Sequence, residues 1–204
     1  GDLVTMRWWN GIWLNEAFAS LMETLSVDAW KPEWDLWTQF GAYRSAAFGV
    51  DALESTRPIE YPVESPDDSQ DMFDILTYTK GQAVLRMLER YLADGFREGI
   101  RRYMARTILT DFATNERLRE IGKSETRYDA DLWAALEEAS GEPVRRIMDP
   151  WILGGGFPVV AASATPEGAR LTHERFRLAV RSEPLVVAEG RLERHPQAGG
   201  TINL

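Results

Sequence analysis

Glu16 and Glu23 lie seven residues apart in a segment of helical apolar spacing, so the two carboxylates fall two turns apart on nearly one face. Carboxylates so placed could bind a metal, orient a ligand or simply face water, and a solvated face is the commonest use of a helical glutamate. Tyr78 sits among Thr77, Thr79 and Lys80. With such neighbours it need not belong to the core, although most such tyrosines pack the ring and wet only the OH. The two histidines, His173 and His195, are 22 residues apart. They form neither a helical pair nor an HExxH motif, and each reads as a surface or strand histidine rather than a ligand. Serine-nucleophile, Walker and dinucleotide patterns are missing, and the run Gly154–Gly156 lacks the spacing of a phosphate loop. With no cysteine, a disulfide framework, a zinc finger and a thiol nucleophile are excluded.

The elements that must carry these side chains are mostly helical. The 204 residues are 44% hydrophobic, enough for a core without covalent staples. From Ile12 to Ala29 the apolar stripe runs through Ile12, Phe18, Leu21, Met22 and Leu25, with Glu16 and Glu23 beside it. Lys31-Pro32-Glu33 is a break and a helix start, and Trp34, Trp37, Phe40 and Ala47 continue at helical period. Three prolines make Ser55–Ser69 an extended loop, with Asp67, Asp68 and Ser69 as caps for the next helix. That long helix is expected over Gln70–Leu92, burying Phe73, Leu76, Ala83, Val84, Met87, Leu88 and Tyr91. Gly81 inside it signals close packing or a short break near Tyr78. Further helices are expected at Phe96–Arg106, Asp129–Ser140 and Pro143–Leu153, with an irregular polar stretch from Thr110 to Arg127. At Phe157 the pattern turns to strand: Phe157–Ala162, a turn at Thr165–Gly168, and Leu171–Phe176 form a hairpin, with Leu185–Val187 a further strand and His195–Leu204 a loose end.

Charge and hydropathy narrow the function classes. Asp and Glu outnumber Lys and Arg by 32 to 23, for a net charge of −9, which disfavours a phosphate-binding surface and so a nucleic-acid partner. No apolar run approaches the roughly 20 residues of a membrane helix, and no membrane segment is expected. The start, Gly1-Asp2-Leu3-Val4-Thr5, carries no leader and opens at full hydrophobic density, as a cut inside a domain would. Cytoplasm is then the default compartment.

Three segments carry a resemblance. Gly1-Asp2-Leu3-Val4-Thr5-Met6-Arg7-Trp8-Trp9-Asn10-Gly11-Ile12-Trp13-Leu14-Asn15-Glu16-Ala17-Phe18-Ala19 resembles the signature of the M1 (gluzincin) aminopeptidases, GNLVTMxWWxDxWLNEGFA. Thr77-Tyr78-Thr79-Lys80-Gly81 is similar to that family's Tyr-x-Lys-Gly motif, and Arg145–Trp151 followed by Gly156-Phe157-Pro158-Val159 is similar to the junction between its helical part and its β-sandwich. The three occur in the family's order, and the middle segments are closest in style to actinobacterial aminopeptidase N-like enzymes. Asp2, Gly11 and Ala17 depart from the usual Asn, acidic residue and Gly; none of these is a catalytic group.

The resemblance implies a mainly α fold, the C-terminal helical part of a thermolysin-like catalytic domain over 1–155, followed by the start of a β-sandwich over 156–204. It implies a zinc aminopeptidase acting on peptides with a free N-terminus. The family's metal motif is HExxH, eighteen residues, then Glu, which makes Glu16 the third Zn²⁺ ligand and puts two His ligands and the general-base Glu upstream of Gly1. Glu16 also meets the substrate's α-amino group. Tyr78 is the oxyanion donor, Glu23 a carboxylate that orients a zinc histidine, and Lys80 and Gly81 structural. One ligand of three cannot hold a catalytic zinc, so these 204 residues alone are expected to be inactive. Two other readings stand beside this one: a non-catalytic helical binding or scaffold module derived from the fold, and an epoxide hydrolase of the same superfamily.

Overall fold

The computed structural model describes residues 9–107, 128–165, 168–176 and 190–191. Seven α-helices in the described residues precede the strands: α1 (Ile12–Trp30), α2 (Leu36–Asp51), α3 (Pro66–Asp71), α4 (Gly81–Leu92), α5 (Asp94–Thr107), α6 (Tyr128–Ser140) and α7 (Val144–Ile152). Then β1 (Phe157–Thr165) pairs antiparallel with β2 (Gly168–Phe176), and β2 with the short β3 (Gly190–Arg191). The molecule is thus mainly helical with a small sheet at its C-terminal side. The expected strand at Leu185–Val187, the tail from His195 and the irregular stretch Thr110–Arg127 lie outside the described residues.

The core is built on α1 and α4. Trp13, Ala17 and Leu21, at i, i+4 and i+8, are completely buried, the stripe a core-facing helix requires. Trp13 meets Trp133 of α6 at a centroid distance of 6.4 Å, and Leu85, Leu88, Leu132, Leu136 and Met148 fill the space around them. Met22, expected in the stripe, is exposed. At 100° per residue it is rotated away from the Trp13–Ala17–Leu21 line.

Two expected helices are interrupted. Trp34 does not belong to α2: Pro32–Trp34 is a 3₁₀ turn, and Asp35, at φ 48°, breaks the ladder before Leu36. Aspartate tolerates that left-handed conformation better than most residues. The long helix over Gln70–Leu92 is three elements: α3, a five-residue π-turn at Leu76–Lys80, and α4. Phe73 and Tyr91, expected on its buried side, are both exposed; Phe73 sits in the break itself, and Tyr91 turns outward to donate its hydroxyl to Glu142 Oε2 at 3.1 Å. Nor is Ser55–Ser69 wholly extended. Ser65 caps α3, accepting from Asp68 N–H at 3.2 Å, while Asp68 Oδ2 accepts from Ser65 N–H at 2.8 Å. This reciprocal capping box, with Pro66 after it, starts the helix at the loop's end.

The hairpin is tied to the helices at its base. Phe157 stacks on Phe176 and meets Phe48 of α2 at a tilt, with centroids 5.3 and 4.8 Å away. Arg175 of β2 donates to Pro150 O at 2.9 Å and to Gly155 O at 2.8 Å, joining the strand to the end of α7.

Candidate functional site

Glu16 projects from α1 one residue before Ala17, half-buried at the edge of the core-facing stripe. Tyr78 occupies the middle of the π-turn, also half-buried. The Gly81 N–H reaches back five residues to Leu76 O. Such single π-turns recur at functional sites because the extra residue re-aims a side chain. Here it carries Tyr78 beside α1, within electrostatic reach of the Glu16 carboxylate. Burial is the main cause of a phenol pKa above the ordinary tyrosine value, with the neighbouring Glu16 carboxylate adding to it. Tyr78 therefore keeps its proton through the neutral range and remains a donor.

Both ends of the π-turn are anchored by charge. At its start, Asp74 Oδ1 accepts from the Leu76 and Thr77 N–H groups at 2.9 and 3.0 Å. Arg57 closes on the same oxygen at 2.6 Å and donates to Thr77 Oγ1 at 3.0 Å. At its end, Lys80 Nζ lies 2.8 Å from Asp51 Oδ2, with the two side chains 3% and 0% exposed. Lys80 also donates to Gly156 O at 3.2 Å, while Asp51 Oδ1 accepts from Gly156 N–H and Thr56 Oγ1, both at 2.8 Å. Burial lowers the Lys80 pKa, and Asp51 opposes that effect.

The register between α1 and the π-turn is fixed by contact. A Cβ on Gly81 would lie 2.7 Å from Ala17 Cβ, closer than packed carbons approach. One residue on, Gln82 Nε2 donates to Ser20 O at 3.2 Å and Thr24 Oγ1 at 2.7 Å. The glycine run serves a similar closeness: a Cβ on Gly155 would meet Thr56 Cγ2 at 2.7 Å.

Of the residues singled out from sequence, the structure brings Glu16 and Tyr78 together. Glu23 is exposed two turns further along α1, and His173 is exposed on β2; His195 lies outside the described residues. Among the described residues no three His, Asp or Glu side chains gather into a metal site. Glu16 is one donor, so these residues by themselves do not fit a zinc ion, which requires three protein ligands in a catalytic site. Sequence reasoning misses Asp51, Arg57, Asp74 and Gln82. Asp51 does carry a signal, as a charged residue closing the apolar end of α2.

A tyrosine hydroxyl beside a glutamate carboxylate at the edge of a helical core can meet a polar ligand, and by itself it names no reaction. Comparison with known proteins specifies the class. Residues 1–151 match the peptidase family M1 domain. The chain is 40% identical over 185 residues to the tricorn protease-interacting factor F2 of Thermoplasma volcanium, covering 87% of the chain and 21% of the relative. It is 41% identical over 161 residues to aminopeptidase M1-A of Oryza sativa subsp. japonica, covering 78% and 17%. To the probable aminopeptidase 2 of Sulfurisphaera tokodaii it is 40% identical over 180 residues, covering 87% and 21%. The chain belongs to peptidase family M1. It spans about a fifth of the length of the curated relatives it matches.

Proposed function

We propose that this chain is part of a zinc aminopeptidase that removes N-terminal residues from peptides, and that Glu16 and Tyr78 are its contribution to the active site. What supports this is the nearness of the Tyr78 phenol to the Glu16 carboxylate, close enough for that charge to raise the phenol's pKa, in a chain whose family is M1. In the full-length protein Glu16 is one of three zinc ligands, with two histidines supplied from outside these 204 residues. A zinc ion held by that set would supply a Lewis acid for the scissile carbonyl and a water of lowered pKa. Glu16 also accepts from the substrate's α-ammonium group, which restricts cleavage to the first peptide bond. Tyr78 donates to the carbonyl oxygen as it becomes an oxyanion. That hydrogen bond is stronger to the transition state than to the ground state, so it accelerates the chemical step. Glu23, exposed two turns along α1 on nearly the same face, is assigned the orienting of a zinc-bound histidine by the family motif alone.

The test is metal stoichiometry with activity. In the full-length protein Glu16→Ala abolishes zinc retention together with cleavage of aminoacyl amides, while N-blocked peptides and epoxides are not turned over by the wild type. The 204-residue chain alone holds substoichiometric zinc and is inactive. Stoichiometric, chelator-sensitive activity in the isolated chain, or full zinc content in Glu16→Ala, contradicts the reading.

A further inference from the structure

The geometry points to the Asp51–Lys80 pair as a positioning device for Tyr78, an inference that rests on the proposed role of Tyr78 as oxyanion donor. A π-turn competes with an ordinary helical turn one residue shorter, and a one-residue slip would rotate Tyr78 about 100° away from Glu16. The turn's middle is half-open, so its shape has to be held from its ends. The Asp74–Arg57 contact, at 2.6 Å, holds the start. Lys80 reaches out from the other end, two residues beyond Tyr78. Its ammonium cannot leave without stranding Asp51, which is completely buried, and the Asp51 carboxylate is itself fixed by Thr56 and by the Gly156 N–H.

A buried ion pair is a poor source of stability compared with apolar side chains of the same volume, so its physical value here is directional. It fixes the rotation of the turn that carries the phenol. It also wires that turn to the Gly154–Gly156 segment leading into β1, since Lys80 Nζ donates to the carbonyls of Gly156 and Gly154 at 3.2 and 3.5 Å.

The test is a double-mutant cycle in the full-length, zinc-loaded protein, comparing Asp51→Asn/Lys80→Met, Tyr78→Phe and their combination. The neutral pair removes both charges, and Asn keeps an oxygen for Thr56 and Gly156. The expected result is a fall in kcat of about tenfold or more with KM within about twofold, zinc content unchanged, and less than about twofold further loss when Tyr78 is already Phe. Hydrogen exchange of the 76–81 amides speeds up by about tenfold or more, while α5 and α6 keep their protection. An equal loss of kcat in the Tyr78→Phe background, or unchanged exchange at 76–81, overturns the inference. If Tyr78→Phe alone turns over like wild type, the oxyanion reading fails, and the exchange result still decides whether the pair holds the turn. Should the double variant not fold, Thr56→Val removes only the hydroxyl on Asp51 Oδ1. It is expected to give the same pattern at a few-fold, and no change in either readout overturns the inference.

Discussion

Gly81 faces Ala17 so closely that a methyl group on the glycine would sit 2.7 Å from the alanine Cβ. Ala17 comes directly after Glu16, and Gly81 lies three residues beyond Tyr78. This close approach of two helices is therefore the register pin for the two side chains assigned to chemistry. The M1 signature usually places Gly where this chain has Ala17, so the contact is tightened on one side and Gly81 is the side that must stay small.

Gly81→Ala is accordingly expected to destabilise by about 1–3 kcal/mol, as overpacking of a filled core does. Combining it with Ala17→Gly moves the methyl group across the interface and is expected to recover part of that loss. Denaturant unfolding of the two single variants and the double variant measures the coupling, and strictly additive effects would contradict a direct contact.

Asp51→Ala strands the Lys80 cation at a site 3% exposed. The expected cost is about 3–5 kcal/mol, the range for removing one partner of a buried pair. The neutral Asp51→Asn/Lys80→Met variant is expected to lose clearly less. Thermal unfolding decides, and an Asp51→Ala variant of near wild-type stability would show that the charge escapes to water.

The capping box at α3 makes a pH-dependent prediction. Hydrogen bonds from the Ser65 hydroxyl, then from the Glu64 and Ser65 amides, hold the Asp68 pKa below the ordinary aspartate value. A carboxylate depressed in the folded state adds stability that is present above its unfolded pKa and is lost as pH falls through its folded pKa. Acidification is therefore expected to release the Ser65 and Glu64 amides below the usual aspartate range. Their NMR shifts should titrate at a lower pH in wild type than the Asp68 carboxylate does in Ser65→Ala; equal midpoints would contradict the box.

Ala93 ends α4 at φ 49° and ψ −120°, a conformation that costs a side-chain-bearing residue and suits glycine. Ala93→Gly is expected to raise stability by up to about 1 kcal/mol, the relief of strain exceeding the added freedom of the unfolded chain. A lower melting temperature in the variant would contradict this.

Much of the framework is legible in the sequence for reasons of periodicity. Ile12 and Leu21 mark the buried side of α1, and the change at Phe157 from helical to alternating spacing marks the hairpin. The signals that fail are those that periodicity cannot carry. A π-turn at 76–80 differs from an α-helix by one residue per turn, too little to disturb the spacing of Leu76, Val84 and Leu88. Gly81 hints at both close packing and a break, and the structure has both within one turn. Ser65 and Asp68 form a reciprocal cap that begins two residues earlier than the run Asp67–Ser69 suggests. At the site, Glu16 and Tyr78 are reachable only through the M1 motifs, because a lone helical glutamate and a lone tyrosine are physically ordinary. The clamps are not reachable at all: Asp51 and Lys80 are 29 positions apart in the chain, and nothing in either one's neighbours announces the other.

In the proposed reaction Tyr78 acts on the transition state while Glu16 holds metal and amine. The most direct measurement is steady-state cleavage of an aminoacyl amide by full-length Tyr78→Phe, with zinc content measured on the same sample. Expected are a fall in kcat of about 10²–10³-fold, a KM little changed and zinc still stoichiometric. Wild-type turnover, or a loss of activity that tracks loss of zinc, would contradict it.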